Sequence, residues 1–195
     1  MKFLTKLLLS IALLTAFNAQ CQERSKIDSL LDVFNELKEI DKISCLNELA
    51  WEYFYENNYE ECIHQAQKAV SLAEKIKNKS GEAKSLNMLA IVHSHTNKVE
   101  AARNYANQAI VVAQEAKDGK EEANALNLLG ISYAEENDYN KSLEYHNKAL
   151  ALRRKIDDKL GIAKSLNNMG SIYSDRGQYN KAIEFYEEAL NLREE

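Results

Sequence analysis

A shift of 40 residues lays the chain on itself without a gap, and this period constrains the fold more than any other feature. Leu46, Leu86, Leu126 and Leu166 fall in one column, and Asn47, Asn87, Asn127 and Asn167 in the next. Leu49, Leu89, Leu129 and Met169 follow, then the small residues Ala50, Ala90, Gly130 and Gly170. Tyr53, His93, Tyr133 and Tyr173 align, as do Tyr59, Val99, Tyr139 and Tyr179, and then Ala69, Ala109, Ala149 and Ala189. A unit that recurs in this way buries its apolar face against its neighbours, so the chain is expected to stack as an array.

Leu160 to Leu192 is the clearest copy. Leu166, Met169, Gly170 and Tyr173 stand at i, i+3, i+4 and i+7, one stripe of an α-helix. Tyr179, Ala182, Ile183, Tyr186, Ala189 and Leu190 form a second stripe. The polar Ser174-Asp175-Arg176-Gly177-Gln178 stretch between them ends the first helix. Two helices joined by so short a turn lie antiparallel. Gly170 and its Ala equivalents let the two approach closely, where a larger side chain would overpack.

The order Leu, Leu, Gly or Ala, Tyr, then Tyr, Ala, Tyr, Ala resembles the tetratricopeptide repeat. Leu166, Met169, Gly170, Tyr173, Ala182, Tyr186 and Ala189 occupy that family's signature positions, and the resemblance covers residues 41–195. It implies an all-α fold, a right-handed α-solenoid of antiparallel helix hairpins. The family repeat is about 34 residues long, and its last-turn Pro is missing here, since the chain has no Pro. The extra residues are expected to lengthen the helices and the B-to-A connections, as in kinesin light chains and the Leu-Gly-Asn-repeat polarity adaptors. Repeat 2 departs furthest, with His93, Val99 and Arg103 where other copies carry Tyr, Tyr and an aliphatic.

The expected organisation is a leader at 1–19, a capping helix within 20–40, and repeats at 41–79, 80–119, 120–159 and 160–195. Lys2 and Lys6, the apolar run Leu7–Phe17 and the small-residue end at Ala16 and Ala19 read as a secretory signal peptide cut near Ala19–Gln20. The run is shorter than the ~20 apolar residues of a membrane span. A lipoprotein alternative would acylate Cys21, although Gln20 is wrong for a lipobox. The capping helix, Glu23 to Glu39, presents Ile27, Leu30, Leu31, Phe34 and Leu37. The repeat helices are expected at about Asp41–Glu56 and Tyr59–Lys77, Ser80–Thr96 and Val99–Ala116, Lys120–Glu136 and Tyr139–Ile156, and Leu160–Asp175 and Tyr179–Arg193. Polar connections are expected at Lys77–Gly81, Lys117–Gly119 and Asp157–Lys159, the first two read as loops from their Gly. The last helix keeps the apolar pattern of an internal one. Its open face implies a homodimer, a docked partner or a longer parent chain.

By the resemblance, the first helices of the hairpins line a concave groove. Asn47, Asn87, Asn127 and Asn167 then form a ladder whose amides can pair with the backbone of an extended peptide. Equally, they can hydrogen-bond within and between hairpins. Lys84, Asn124 and Lys164 face the groove and suit an acidic peptide or a terminal carboxylate. Trp51, Tyr55 and His95 complete the expected surface, and Phe54, Ile91, Ile131 and Ser171 share its positions.

No other chemistry is evident. His93 and His95 diverge on one helix, and His64 and His146 lack ligand partners at metal-site spacing. Cys45 and Cys62 are offset in their hairpin and read as small core residues. The Tyr53, Tyr133, Tyr173, Tyr139 and Tyr179 stripe reads as core. The acid pairs Glu60-Glu61, Glu121-Glu122 and Asp157-Asp158 read as solvated charge near helix starts. No phosphate loop, nucleophile elbow or zinc motif occurs. Net charge is −5, or −7 without Lys2 and Lys6, with no basic stripe for nucleic acid.

With the leader, the resemblance therefore implies an exported scaffold without cofactor or metal that binds a peptide or protein segment in its concave groove. It is expected to be non-catalytic, and periplasmic or secreted. The alternative is the sensory end of a longer bacterial signalling protein, a sensor histidine kinase or nucleotide cyclase, with membrane association through the parent chain or a lipid.

Overall fold

Seven turns at 20-residue intervals set the architecture, each with one residue in the left-handed region: Asn57, Lys77, Asn97, Lys117, Asn137, Asp157 and Gly177. Asn and Gly tolerate that conformation best, and most of these turns use one or the other. At the first turn, Asn57 N–H donates to Phe54 O and Asn58 N–H to Tyr53 O. This pair of bonds is a Schellman closure, which satisfies the last carbonyls of the helix. Asn58 also starts the next helix, accepting from Glu61 N–H on its side chain. Asn78, Asp118, Asp138 and Asp158 do the same at their helices, whereas Lys98 makes no side-chain cap. A residue that closes one helix and caps the next leaves no room for a longer loop.

The structure, a computed structural model, describes residues 26–194. The expected leader and Cys21 lie outside the described residues. Helix α1 covers residues 26–34 of the described chain. There follow α2 (Glu39–Tyr55), α3 (Tyr59–Lys75), α4 (Lys79–His95), α5 (Val99–Ala116), α6 (Gly119–Glu135), α7 (Tyr139–Lys155), α8 (Lys159–Asp175) and α9 (Tyr179–Glu194). Among the described residues there are nine helices and no strand, in a right-handed α-solenoid. Consecutive helices pack together, and α2, α4, α6 and α8 also meet in sequence. Their counterparts α3, α5, α7 and α9 do not meet one another, so the array curves with the even-numbered helices inside.

Two expectations are corrected here. The connections between hairpins are no longer than those within them, so the added residues of this long repeat lie in the helices. Gly81 and Gly119 sit in the first turns of α4 and α6 rather than in loops. The capping helix ends at residue 34, and α2 already begins at Glu39. Turn bonds from Glu36 N–H to Val33 O and Leu37 N–H to Phe34 O reverse the chain there. Leu37 packs on Ile27, Cys45 and Leu49 from that turn, so the apolar stripe outruns its helix.

The core is a run of small residues and rings matched in size. Ala50 and Ala90 face Ala66 and Ala106, all buried. In repeats 3 and 4 glycine replaces the first alanine and a ring replaces the second. A Cβ on Gly130 would stand 2.7 Å from His146 Cε1, and one on Gly170 the same distance from Tyr186 Cε1. His93, Tyr133 and Tyr173 stack on Tyr105, Tyr145 and Phe185 with centroids 5.2–5.4 Å apart. Tyr139 is half-buried, whereas Tyr179, expected in the core, is exposed on the open face of α9. Cys45 and Cys62 are buried free thiols, and burial pushes Cys62 up to about 11. Such a thiol is inert at neutral pH. On α9, Ile183 and Leu190 are 51% and 55% exposed.

Candidate groove site

The inner surface holds a cleft of about 240 Å³ that brings most of the expected residues together. Asn47 and Trp51 enter from α2, Lys84 and Asn87 from α4, Asn124 and Asn127 from α6, and Lys164 from α8. The 40-residue period places these side chains at equivalent points of successive inner helices, one above the next. Met88, Ile91 and Leu128 supply apolar wall beside Trp51. Tyr55, His95 and Asn167 stand outside the cleft. Tyr55 is exposed and stacks on Trp51 with centroids 5.7 Å apart, extending that wall. His95 sets its ring against Phe54 and Tyr59. Asn167 is exposed.

The four asparagines of the ladder are not equivalent. Asn47, 2% exposed, donates from Nδ2 to Ile43 O of its own helix at 3.0 Å. Asn87, 4% exposed, donates to Glu121 O at 3.0 Å and to Glu121 Oε2 at 2.9 Å. These partners are all acceptors, so each amide must present its nitrogen to them. Asn47 Oδ1 and Asn87 Oδ1 are consequently buried without a donor. Asn127 accepts from Asn168 Nδ2 across to α8 at 2.9 Å.

Two charged residues of the cleft were not among the expected ones. Glu121, read as solvated charge, is instead half-buried and turned into the cleft, where it also accepts from Asn124 Nδ2 at 3.2 Å. Arg153 of α7 is 2% exposed and reaches the cleft floor from the outer layer. Its Nη1 donates to Gly161 O at 2.9 Å and Ser165 Oγ at 2.7 Å, and Nη2 to Asn124 Oδ1 at 3.1 Å. Asn87, Glu121, Asn124, Arg153 and Ser165 thus form one polar chain across α4, α6, α7 and α8. Arg153 is short of negative charge: Asp158 Oδ2 lies 4.0 Å from Nε, and Nε makes no hydrogen bond. Burial draws its pKa below the ordinary value, with Asp158 opposing; an arginine still keeps its proton. The sequence did hold a signal for it. Arg153 falls in a column with the buried Ala73 and Ala113 and the exposed Arg193, and a charge at an internal position of that column needs a polar destination.

The cleft therefore gathers Lys84, Lys164 and Arg153 against the one carboxylate of Glu121, beside an apolar wall. Such a surface favours an anionic, partly apolar ligand. Among the described residues, no group of His, Cys, Asp and Glu is placed to hold a metal ion. No helix among them is long and apolar enough to cross a membrane.

The Tetratricopeptide repeat family model matches residues 43–115 and 121–195. The chain belongs to the tetratricopeptide repeat family, whose members are generally non-catalytic scaffolds. No curated protein matches it. Among solved structures, it is similar to a putative kinesin light chain with nearly identical TPR-like repeats from Podosopora anserina. That match has 16% identity and a TM-score of 0.62, and covers 90% of this chain and 89% of that one. A Rap protein complexed with Competence and Sporulation Factor gives 19% identity and a TM-score of 0.77 over 89% of this chain and 50% of that one. The Signal Transduction ATPase with Numerous Domains protein with a tetratricopeptide repeat sensor from Pyrococcus horikoshii gives 20% and 0.71, over 87% of this chain. This chain spans only 26% of that protein. At these identities the likeness shows the fold.

Proposed function

We propose that the chain is an exported, non-catalytic scaffold that holds an extended peptide or protein segment along its inner groove, an acidic group of the segment resting over Lys84, Lys164 and Arg153. The observation that carries this reading is the convergence of three cations and a row of amides on one concave cleft with an aromatic wall. The cations supply charge-assisted hydrogen bonds, and Trp51 and Tyr55 supply flat apolar area at low entropic cost. Export rests on the Lys2–Ala19 segment.

Selection from a random peptide display library tests the groove. Enriched peptides are expected to carry Asp or Glu and to lose affinity for a Lys84→Ala/Lys164→Ala protein. Both lysines are exposed, so this variant keeps its fold. Equal binding by the variant would sink the assignment. Replacing Asn87, Asn127 and Asn167 by Ala tests the ladder less cleanly, since Asn87 and Asn127 also tie helices together.

The second reading, a sensory region of a longer signalling protein, is favoured by the uncovered face of α9 and by the likeness to a chain with a repeat sensor. The intact mass and compartment of the native protein decide between them. A much larger mass in a membrane fraction selects the sensory reading.

A further inference from the structure

Asp118 and Glu121 have the spacing of a capping box, in which the third-position carboxylate folds back onto the N-cap N–H. That donor is already engaged here. Asp118 also closes α5, and its N–H donates to Ala113 O at 2.9 Å. The Asp118 side chain still caps α6 through Glu121 N–H at 3.1 Å, but the Glu121 carboxylate has no return bond to make. It turns across the groove and takes Asn87 Nδ2 and Asn124 Nδ2. The equivalent positions in repeats 2 and 4 are Gly81 and Gly161, and in repeat 1 the exposed Asp41, so repeat 3 alone sends a carboxylate into the cleft.

A carboxylate held by two amide donors beside Lys84, Lys164 and Arg153 is the arrangement a docked acidic ligand would adopt. We propose that Glu121 is an internal occupant of the groove, a tethered carboxylate that an acidic partner must displace from Asn87 and Asn124. The inference rests on the acidic-ligand reading above and adds to it a rule of selection. A ligand with one carboxylate exchanges like for like and gains little. A ligand with clustered carboxylates replaces Glu121 with one and meets the remaining lysine charge with the others. Displaced Glu121 moves toward solvent, while Arg153 keeps its bonds to Asn124 Oδ1, Gly161 O and Ser165 Oγ. The selected partner is an acidic cluster on an extended segment.

Fluorescein-labelled hexaglutamate, with hexaglutamine as neutral control, tests this by anisotropy on wild type, Glu121→Gln and Lys84→Ala/Lys164→Ala. Gln keeps the length and an acceptor for both asparagines, so matched thermal melts confirm the fold. Removing the like charge is expected to tighten hexaglutamate binding about 3–10-fold and to leave hexaglutamine unchanged. A second readout needs no variant at all. The side-chain amide NMR signals of Asn87 and Asn124 should shift when hexaglutamate is titrated into wild type, because both donors change acceptor. Binding that is weakened by the lysine changes but unaltered or weakened by Glu121→Gln, with static Asn87 and Asn124 signals, overturns the internal occupant and spares the acidic groove. Hexaglutamate that binds neither wild type nor Glu121→Gln overturns both.

Discussion

The glycine and ring of repeat 3 form a size-matched pair, and breaking the match gives a worked prediction. In Gly130→Ala, the new Cβ would lie 2.7, 2.8 and 2.9 Å from His146 Cε1, Nε2 and Cδ2. The ring is buried, so it cannot swing away into solvent. Overpacking of this kind costs about 1–3 kcal/mol. Alanine in a helix interior returns about 1 kcal/mol over glycine, so the net loss is about 0–2 kcal/mol. His146→Ala opens a cavity at the same point but frees a buried Nδ1 that has no partner, for a loss of about 2–4 kcal/mol. The double variant recreates the Ala90–Ala106 pair of repeat 2. It is expected to be more stable than the two single losses imply by about 1–3 kcal/mol. Urea unfolding followed by circular dichroism and by the single Trp51 measures this, provided the two probes coincide. Additive losses, or a Gly130→Ala protein that gains the full helical increment, would refute the size-matching argument.

Stability should fall on acidification. Burial, helped by the Arg153 charge, holds His146 down at about 4. The unfolded chain binds that proton near pH 6.5 and the folded chain does not, so stability is full above about pH 6.5 and drains away down to about pH 4. The loss is about 3 kcal/mol, with His93, lowered by burial and then Lys98, acting in the same direction. Urea midpoints across that window should be flatter for His146→Ala; an equally steep decline would exclude His146 as the source. Arg153→Ala strands Asn124 Oδ1, Ser165 Oγ and Gly161 O, for about 1–3 kcal/mol. The effect should appear as faster hydrogen exchange in α8 and α9, and unchanged exchange there would mean the guanidinium ties nothing down. Ile183→Glu with Leu190→Glu should leave monomer stability alone and abolish any concentration-dependent dimer in sedimentation velocity. A wild type that stays monomeric at every concentration eliminates self-association through α9.

The sequence carried the period, the hairpins and each repeat-helix boundary to within two residues, because apolar spacing and the Asn or Asp caps repeat with the unit. Val99–Ala116 is the helix the pattern implies, residue for residue. Gly81 and Gly119 misled the loop lengths, since a glycine reads as a breaker whether it ends a helix or sits in its first turn. The inner asparagines were legible as a column, but their bonds were not. Whether Asn87 meets a ligand or Glu121 depends on the offset between α4 and α6, which no single-helix pattern encodes. Glu121 was misassigned for a related reason. Its direction follows from Asp118 serving two helices at once, a fact of the turn rather than of the spacing. Arg153 was visible where its column passes from Ala73 and Ala113 to arginine, although the side of the array it would reach was not.

The backbone is twice as symmetric as the sequence. Turns recur every 20 residues, while side chains recur every 40. Sliding the pattern by one helix would keep every turn intact and yet exchange inside for outside, carrying the asparagines to the outer wall. Nothing in the turns forbids that inversion. The side-chain pairings, glycine with ring, alanine with alanine and the stacked rings between them, hold the array right side in. Growth by a whole hairpin preserves that parity and extends the groove by one more step; growth by a single helix would turn everything beyond it inside out.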